Sequence, residues 1–224
     1  MLLMTKDKQF LKKTRIQITN YEHMFLKYAK ENGRTLIQSE AGTGKSTFLA
    51  KLVMDWCRIQ LEQQFQTGIS DTDTQTKYSS FFKDAWYLKR YGFIFQITLR
   101  NSVTEISIYN MIKEQIIDSI CSSEEDRKKA STSLNVIIKL ELVLILLDGL
   151  DEWTDPGGGY KLPTLLTSHR QCAILFTTRP WKVAEGKINH SEIDFLLQLE
   201  GVNTNFKLGR NLLSLIGRSS RLNT

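Results

Sequence analysis

A run of six apolar residues constrains the fold of this chain more than any other feature. Residues 142–147 read Leu, Val, Leu, Ile, Leu and Leu, with no polar residue between them. A strand with one face in water alternates apolar and polar residues, whereas an unbroken run is typical of a strand covered on both faces. We therefore expect a parallel sheet inside the protein, with Asp148 at the end of this strand.

Other short apolar runs alternate with segments of helical periodicity. The sequence predicts strands at residues 35–38, 93–99, 142–147, 172–178 and 193–199, and helices at 45–63, 105–120 and 127–139. Ser123, three residues before Asp126, marks the start of the last of these helices. Strands that alternate with helices imply an α/β fold, with a five-stranded, mainly parallel sheet flanked by helices on both faces.

The composition of the chain bears on its partners and on the compartment in which it works. No apolar run approaches the ~18 residues that span a bilayer, so we expect no membrane partner. The 30 Lys and Arg residues against 24 Asp and Glu give a net charge of +6, which permits nucleic-acid binding without indicating it. The three cysteines are widely spaced, and we predict free thiols in a reducing compartment. The start of the chain lacks the features of a signal peptide, which predicts a cytoplasmic protein.

A glycine-rich segment between a predicted strand and a predicted helix has the features of a phosphate-binding loop. Its glycines let backbone N–H groups turn toward phosphate oxygens, and the helix N-terminus adds partial positive charge. Lys45 would contact the β- and γ-phosphates, and the Ser46 hydroxyl would bind Mg²⁺. The alternative is a glycine-rich turn with an incidental lysine. The predicted nucleotide-binding residues of the loop are Ser39, Glu40, Ala41, Gly42, Thr43, Gly44, Lys45, Ser46 and Thr47.

Acidic residues follow the buried strand. A carboxylate at this position can hold Mg²⁺ through water, and a second acidic group can orient or activate the attacking water. We assign Asp148 to the metal, and Asp151 and Glu152 to the catalytic polarisation of water. The sequence does not decide which of these two does more. The alternative is a solvated acidic turn.

Arg179 follows the predicted strand at residues 172–178. A guanidinium fixed at a strand end could contact a γ-phosphate and so distinguish a nucleoside triphosphate from a diphosphate. The alternative is an ordinary strand-end arginine.

Three segments, residues 39–47, 144–153 and 175–181, resemble the NACHT domain of the STAND ATPases, found in NOD-like receptors. The most specific is Asp-Gly-Leu-Asp-Glu at residues 148–152, whereas the family's typical loop has Gly where this chain has Ser39. The resemblance covers about residues 30–202. It implies a P-loop NTPase fold that binds ATP or ADP with Mg²⁺ and hydrolyses ATP slowly at most. It also implies a switch in which ADP holds a closed monomer and ATP permits assembly of a signalling platform, often in innate immunity.

We divide the chain into three segments. The apolar residues of 1–30 have loosely helical spacing, which predicts a flank that forms a helix or, alternatively, a hairpin. The resemblance implies the NACHT-like domain at residues 31–202, and residues 203–224 would be a tail or the start of a helical region. The family's winged-helix region, whose histidine contacts ADP, would begin beyond Thr224. We therefore expect a fragment of a longer protein or an incomplete switch.

Three hypotheses follow for function. The first is a nucleotide switch that associates with itself or with other NACHT proteins. The second is a non-catalytic interaction fragment that regulates longer NACHT proteins without ATP. The third is another P-loop ATPase, such as one that acts on nucleic acid, although the chain shows no helicase motif.

Overall fold

The computed structural model describes residues 16–25, 33–65, 80–159, 161–165, 172–186, 188, 192–200 and 212–217. These residues form an α/β fold around one seven-stranded sheet. The strands are β1 (Ile16–Ile18), β2 (Arg34–Gln38), β3 (Phe93–Thr98), β4 (Val143–Asp148), β5 (Cys172–Thr178), β6 (Phe195–Glu200) and β7 (Leu212–Gly217). Their order across the sheet is β1-β7-β6-β2-β5-β4-β3.

The five predicted strands are β2 to β6, and they form one continuous all-parallel block. All five predicted strands are therefore confirmed, to within two residues at their ends. One strand, β5, separates β2, which leads into the glycine-rich loop, from β4, which leads into Asp148.

Two further strands lie in the segments predicted as flanks, so the sheet has seven strands rather than the predicted five. In the predicted tail, β7 is a strand rather than a helix, and it pairs antiparallel with β6 over six residues. The predicted helical flank does contain a short helix, Tyr21–Phe25, but it also contributes β1, which pairs antiparallel with β7. Without β7, the backbone groups of β6 would lie at an open sheet edge, and pairing satisfies them. The sheet thus includes residues that precede and follow 31–202 in the sequence, and both added strands lie at the same edge of the sheet, beyond β6. Residues 1–15, 26–30, 203–211 and 218–224 of the flanks lie outside the described residues.

The helices are α1 (Tyr21–Phe25), α2 (Lys45–Phe65), α3 (Ile108–Ile112), α4 (Asp118–Ile120), α5 (Glu124–Leu140) and α6 (Pro180–Ala184). A π-helical turn, Lys113–Ile117, joins α3 to α4, and 3₁₀ turns span Ala85–Arg90, Leu99–Ser102 and Leu150–Glu152. The three predicted helices are confirmed, and the start signal at Ser123 is too. Its hydroxyl accepts a hydrogen bond from the Asp126 N–H at 3.0 Å, as an N-cap does.

Helices cover both faces of the sheet, as predicted. On one face, Phe48 and Leu52 of α2 pack with Leu144 and Leu146 of β4. On the other face, α3 and α5 pack against the alternate residues of β4, which are Val143, Ile145 and Leu147. All five of these β4 residues are completely buried, because neither face of the strand meets water. Within the part of the chain that the structure describes, no helix combines the length and apolar character needed to cross a membrane.

Candidate functional site

The predicted site residues follow strands that end at the same level of the sheet. Gln38, the last residue of β2, pairs with Thr178 in β5, and Thr98 at the end of β3 pairs with Asp148. Because the strands are parallel, all of their carboxyl ends lie along one edge. In open α/β sheets, ligands bind beyond this edge.

The glycine-rich loop connects β2 to α2 at this edge. Gly42 and Gly44 have backbone φ angles of +74° and +94°, a conformation that glycine adopts at no steric cost. The Lys45 ammonium donates hydrogen bonds to the carbonyl oxygens of Ser39 and Glu40, at 2.7 and 2.9 Å. The lysine therefore lies back across its own loop. Helix α2 begins at Lys45, so its N-terminal partial positive charge faces the loop.

Ser39 fits the position where the loop pattern has glycine. Its backbone N–H donates to the Thr178 carbonyl oxygen at 3.1 Å, and the residue is only 3% exposed. Its hydroxyl lies 2.5 Å from the Thr43 hydroxyl, which itself donates to the Glu40 carbonyl oxygen at 2.7 Å. The Thr43 hydrogen is thus already used, so Ser39 donates to Thr43. The serine adds a hydrogen bond inside the loop and leaves no buried polar group unpaired.

Asp148 and Ser46, the two residues assigned to the metal, lie in contact. The Ser46 hydroxyl donates to one carboxylate oxygen of Asp148 at 2.6 Å. The Thr177 hydroxyl, at the end of β5, donates to the other carboxylate oxygen at 2.5 Å and accepts a hydrogen bond from the Gly149 N–H at 2.9 Å. Thr177 therefore fixes the orientation of the Asp148 carboxylate.

The donor chemistry of this pair fits Mg²⁺. Hydroxyl and carboxylate oxygens are hard ligands, and Mg²⁺ is usually held by one or two protein groups together with waters and substrate phosphates. Among the described residues, no group of three or more His, Cys, Asp or Glu side chains is placed to hold a metal ion. A magnesium ion at Ser46 and Asp148 would therefore take its remaining ligands from water and from phosphate.

The two predicted catalytic carboxylates face different arginines. Asp151 has a side chain that is 5% exposed, and its carboxylate lies 3.0 Å from Nε of Arg179. Glu152 instead forms a two-pronged ion pair with Arg100, in which Nε and Nη2 donate to separate carboxylate oxygens at 2.5 and 2.6 Å. The hydrogen bonds from Arg100 hold the pKa of Glu152 below its usual range. Glu152 is therefore ionised at neutral pH.

Lys45 shares the electrostatic field of these groups. Its partial burial lowers the pKa of its ammonium, and the Arg179 charge lowers it further. The carboxylates of Asp151 and Asp148 oppose that effect. The structure thus brings Lys45, Ser46, Asp148, Asp151 and Arg179 into one site.

Two further residues of the site, Thr177 and Arg100, were not predicted. Thr177 lies in the segment before Arg179, but its role depends on strand register, because β5 must lie beside β4 for its hydroxyl to reach Asp148. Arg100 follows β3 by two residues, and β3 pairs with β4 so that Thr98 lies beside Asp148. The sequence contains only a partial signal for both residues, since polar residues at the carboxyl ends of parallel strands meet at one edge but the sequence does not say which strands are neighbours.

No protein-family model matches this chain, and a search of curated proteins finds no match. The functional conclusions therefore depend on the motifs in the sequence and on the geometry of the site.

Proposed function

We propose that this chain is an ATP- and ADP-binding, Mg²⁺-dependent nucleotide switch of the NACHT type, with a P-loop NTPase fold. The observation that carries the proposal is the hydrogen bond between Ser46, at the start of α2, and Asp148, at the end of β4. These residues are 102 positions apart in the chain, and both were assigned to Mg²⁺ from motifs alone. A glycine-rich turn with an incidental lysine would not require that contact.

Each group of the site has a defined task under this proposal. Backbone N–H groups of the loop after Ser39, whose own N–H pairs with Thr178, and the N-terminus of α2 would bind phosphate oxygens. The Lys45 ammonium would exchange its carbonyl partners for the β- and γ-phosphates. Ser46 and Asp148 would hold Mg²⁺, which neutralises phosphate charge when it is bound.

The pairing of Arg179 with Asp151 supports a switch that distinguishes ATP from ADP. A γ-phosphate would compete with the Asp151 carboxylate for the guanidinium, whereas ADP has no γ-phosphate to compete. Arg179, whose side chain is 45% exposed, would then contact the γ-phosphate when ATP is bound and Asp151 when ADP is bound. Such a change can bias two conformations of the chain only by its differential binding energy.

The proposed role is the control of oligomerisation in signalling, of the kind that serves innate immunity, with self-association or association with other NACHT proteins. We place it in the cytoplasm, a reducing compartment that supplies ATP and Mg²⁺. The three cysteines lie in the described residues and form no disulfide there, and burial raises the pKa of the Cys172 thiol to about 12. Free thiols are typical of that compartment.

Sedimentation of the full chain with Mg²⁺ and either ADP or a non-hydrolysable ATP analogue tests the switch. We expect a monomer with ADP and larger species with the analogue, and we expect Lys45→Ala to abolish the difference between the two nucleotides. Lys129→Ala is the control, because Lys129 lies on the exposed surface of α5 in a pair with Glu125. Identical sedimentation with both nucleotides would contradict the switch. Association with longer NACHT proteins in the absence of ATP would favour the interaction fragment.

A further inference from the structure

We propose that the ion pair between Arg100 and Glu152 is a latch that restrains Glu152 and so keeps ATP hydrolysis slow. In this proposal Glu152 is the carboxylate that polarises the attacking water, and Arg100 is a positioning residue that acts through it. The inference rests on the nucleotide-binding function proposed above.

The geometry of the pair occupies both oxygens of Glu152. Arg100 Nε donates to one oxygen at 2.5 Å and Nη2 to the other at 2.6 Å. A planar guanidinium that meets a carboxylate in this two-pronged way fixes its orientation as well as its charge. The strongest acceptor positions of Glu152 are therefore directed at an arginine rather than at a water molecule.

The backbone that carries Arg100 is held in place by Gln115. The Gln115 side-chain carbonyl accepts a hydrogen bond from the Thr98 N–H at 3.1 Å, and its amide donates to the Thr98 carbonyl oxygen at 3.0 Å. The same amide donates to the Ser102 hydroxyl at 2.8 Å. Gln115 thus ties together both ends of the turn Leu99–Ser102. It lies in the π-helical turn Lys113–Ile117, and such turns occur frequently at functional sites.

The Arg100 side chain, in contrast, is free to swing away from Glu152 into solvent. It is 71% exposed, so water can solvate the guanidinium once the pair opens, and this offsets part of the free energy of the lost contact. A fixed backbone and an exposed guanidinium make a contact that can open without a change in the sheet. The latch can therefore open locally while the rest of the site keeps its geometry.

The two candidate carboxylates also differ in their exposure to solvent. The Asp151 side chain is 5% exposed and pairs with Arg179, whereas the Glu152 side chain is 28% exposed. Glu152 is the one that water can approach. We therefore assign the polarisation of the attacking water to Glu152 rather than to Asp151, between which the sequence did not decide.

The chemical step shows why the latch slows hydrolysis. The water oxygen forms a bond to the γ-phosphorus, and the bond between that phosphorus and the β,γ-bridging oxygen breaks. The electron pair of the broken bond leaves with ADP, and the water proton passes to a carboxylate oxygen and then to solvent. A carboxylate that is held ionised by an arginine is a weaker base, and its oxygens are already engaged. Opening the pair restores both its basicity and its access to water.

Single-turnover ATP hydrolysis by the full chain with Mg²⁺ tests the latch. We expect Arg100→Gln to raise the rate roughly tenfold, while nucleotide affinity is unchanged because Arg100 is not part of the phosphate loop. We expect an intermediate rate for Arg100→Lys, since a lysine keeps the charge without the two-pronged geometry. Lys129→Gln, which removes an exposed cation on α5, should leave the rate as it is. Thermal unfolding of each variant checks that it is folded.

A double-mutant cycle shows whether Arg100 acts through Glu152. In the Glu152→Gln background, the addition of Arg100→Gln should change the rate no further. Equal rates for the original chain and Arg100→Gln, including no hydrolysis by either, would overturn the latch, as would a slower Arg100→Gln. A chain that fails to bind ATP and ADP at all would instead overturn the proposed function, and the binding measurement detects that before any rate is compared.

Discussion

At the scale of single residues, the site is organised around the Asp148 carboxylate. One oxygen accepts a hydrogen bond from Ser46 and the other from Thr177. The motifs predicted that Ser46 and Asp148 act together, because a phosphate-binding loop with Mg²⁺ needs a hydroxyl and a carboxylate, and the two side chains are in contact. The motifs did not predict Thr177 or Arg100, because both contacts depend on which strands are neighbours in the sheet. Spacing along one strand contains no such information.

The role of Thr177 can be tested with a substitution of nearly the same shape. Thr177→Val removes the hydroxyl that orients Asp148, and loss of such a supporting contact typically costs about 10–100-fold in metal affinity. We expect Mg²⁺ titrations of nucleotide binding to show a weakening in that range. Thr178→Val is the matched control, because the Thr178 hydroxyl contacts the Arg179 carbonyl oxygen instead. An unchanged Mg²⁺ requirement in Thr177→Val would contradict the assigned role.

At the scale of elements, the predicted strands were those whose burial is visible in the sequence. The apolar runs of β4 and β5 stand out because every one of their apolar residues is buried. Strands β1 and β7 were not predicted, because they owe their conformation to pairing partners. Strand β1 pairs with residues about 200 positions later in the chain. The spacing of apolar residues within a short segment cannot predict hydrogen bonds to a segment so far away in the sequence.

The turn after β4 provides a test at this scale. Gly149 has a φ of +85°, which an alanine adopts at a cost of about 1–2 kcal/mol. The Cβ of an alanine would lie 3.6 Å from the Glu152 carboxylate, which is an ordinary contact distance. The loss of stability would therefore come from the backbone conformation and not from a steric clash. We expect urea unfolding of Gly149→Ala to show that loss of stability. Gly157→Ala, in an exposed turn and without a positive φ, should be nearly neutral.

At the scale of the whole molecule, residues 16–25 pack against α2, the helix that begins at the glycine-rich loop. Tyr21 of α1 is completely buried, and its hydroxyl donates to the Asp55 carboxylate on α2 at 2.9 Å. Asp55 also accepts a hydrogen bond from the Phe81 N–H at 2.8 Å and lies 3.2 Å from the Lys51 ammonium. The resemblance placed the start of the domain near residue 30. The structure shows that the packed core begins earlier in the chain.

Two substitutions of Tyr21 measure how much this packing contributes. Tyr21→Phe removes only the hydroxyl, and we expect a loss of about 1.5–3 kcal/mol in the free energy of unfolding, because the hydroxyl donates to a charged carboxylate. Tyr21→Ala also removes the ring, and we expect a loss of about 3–5 kcal/mol. Urea unfolding of the full chain gives both values. Similar small losses for the two variants would mean that the N-terminal segment is not part of the core.

The central claim is that the loop at residues 39–47, with Ser46 and Asp148, binds a nucleotide through its phosphates. A calorimetric titration of Mg²⁺ and ADP into the full chain, beside Lys45→Ala and the Lys129→Ala control, tests it most directly. We predict saturable binding of one nucleotide per chain to the original protein and to Lys129→Ala, with binding lost in Lys45→Ala. Binding that persists in Lys45→Ala, or no binding to any of the three proteins, would contradict the claim.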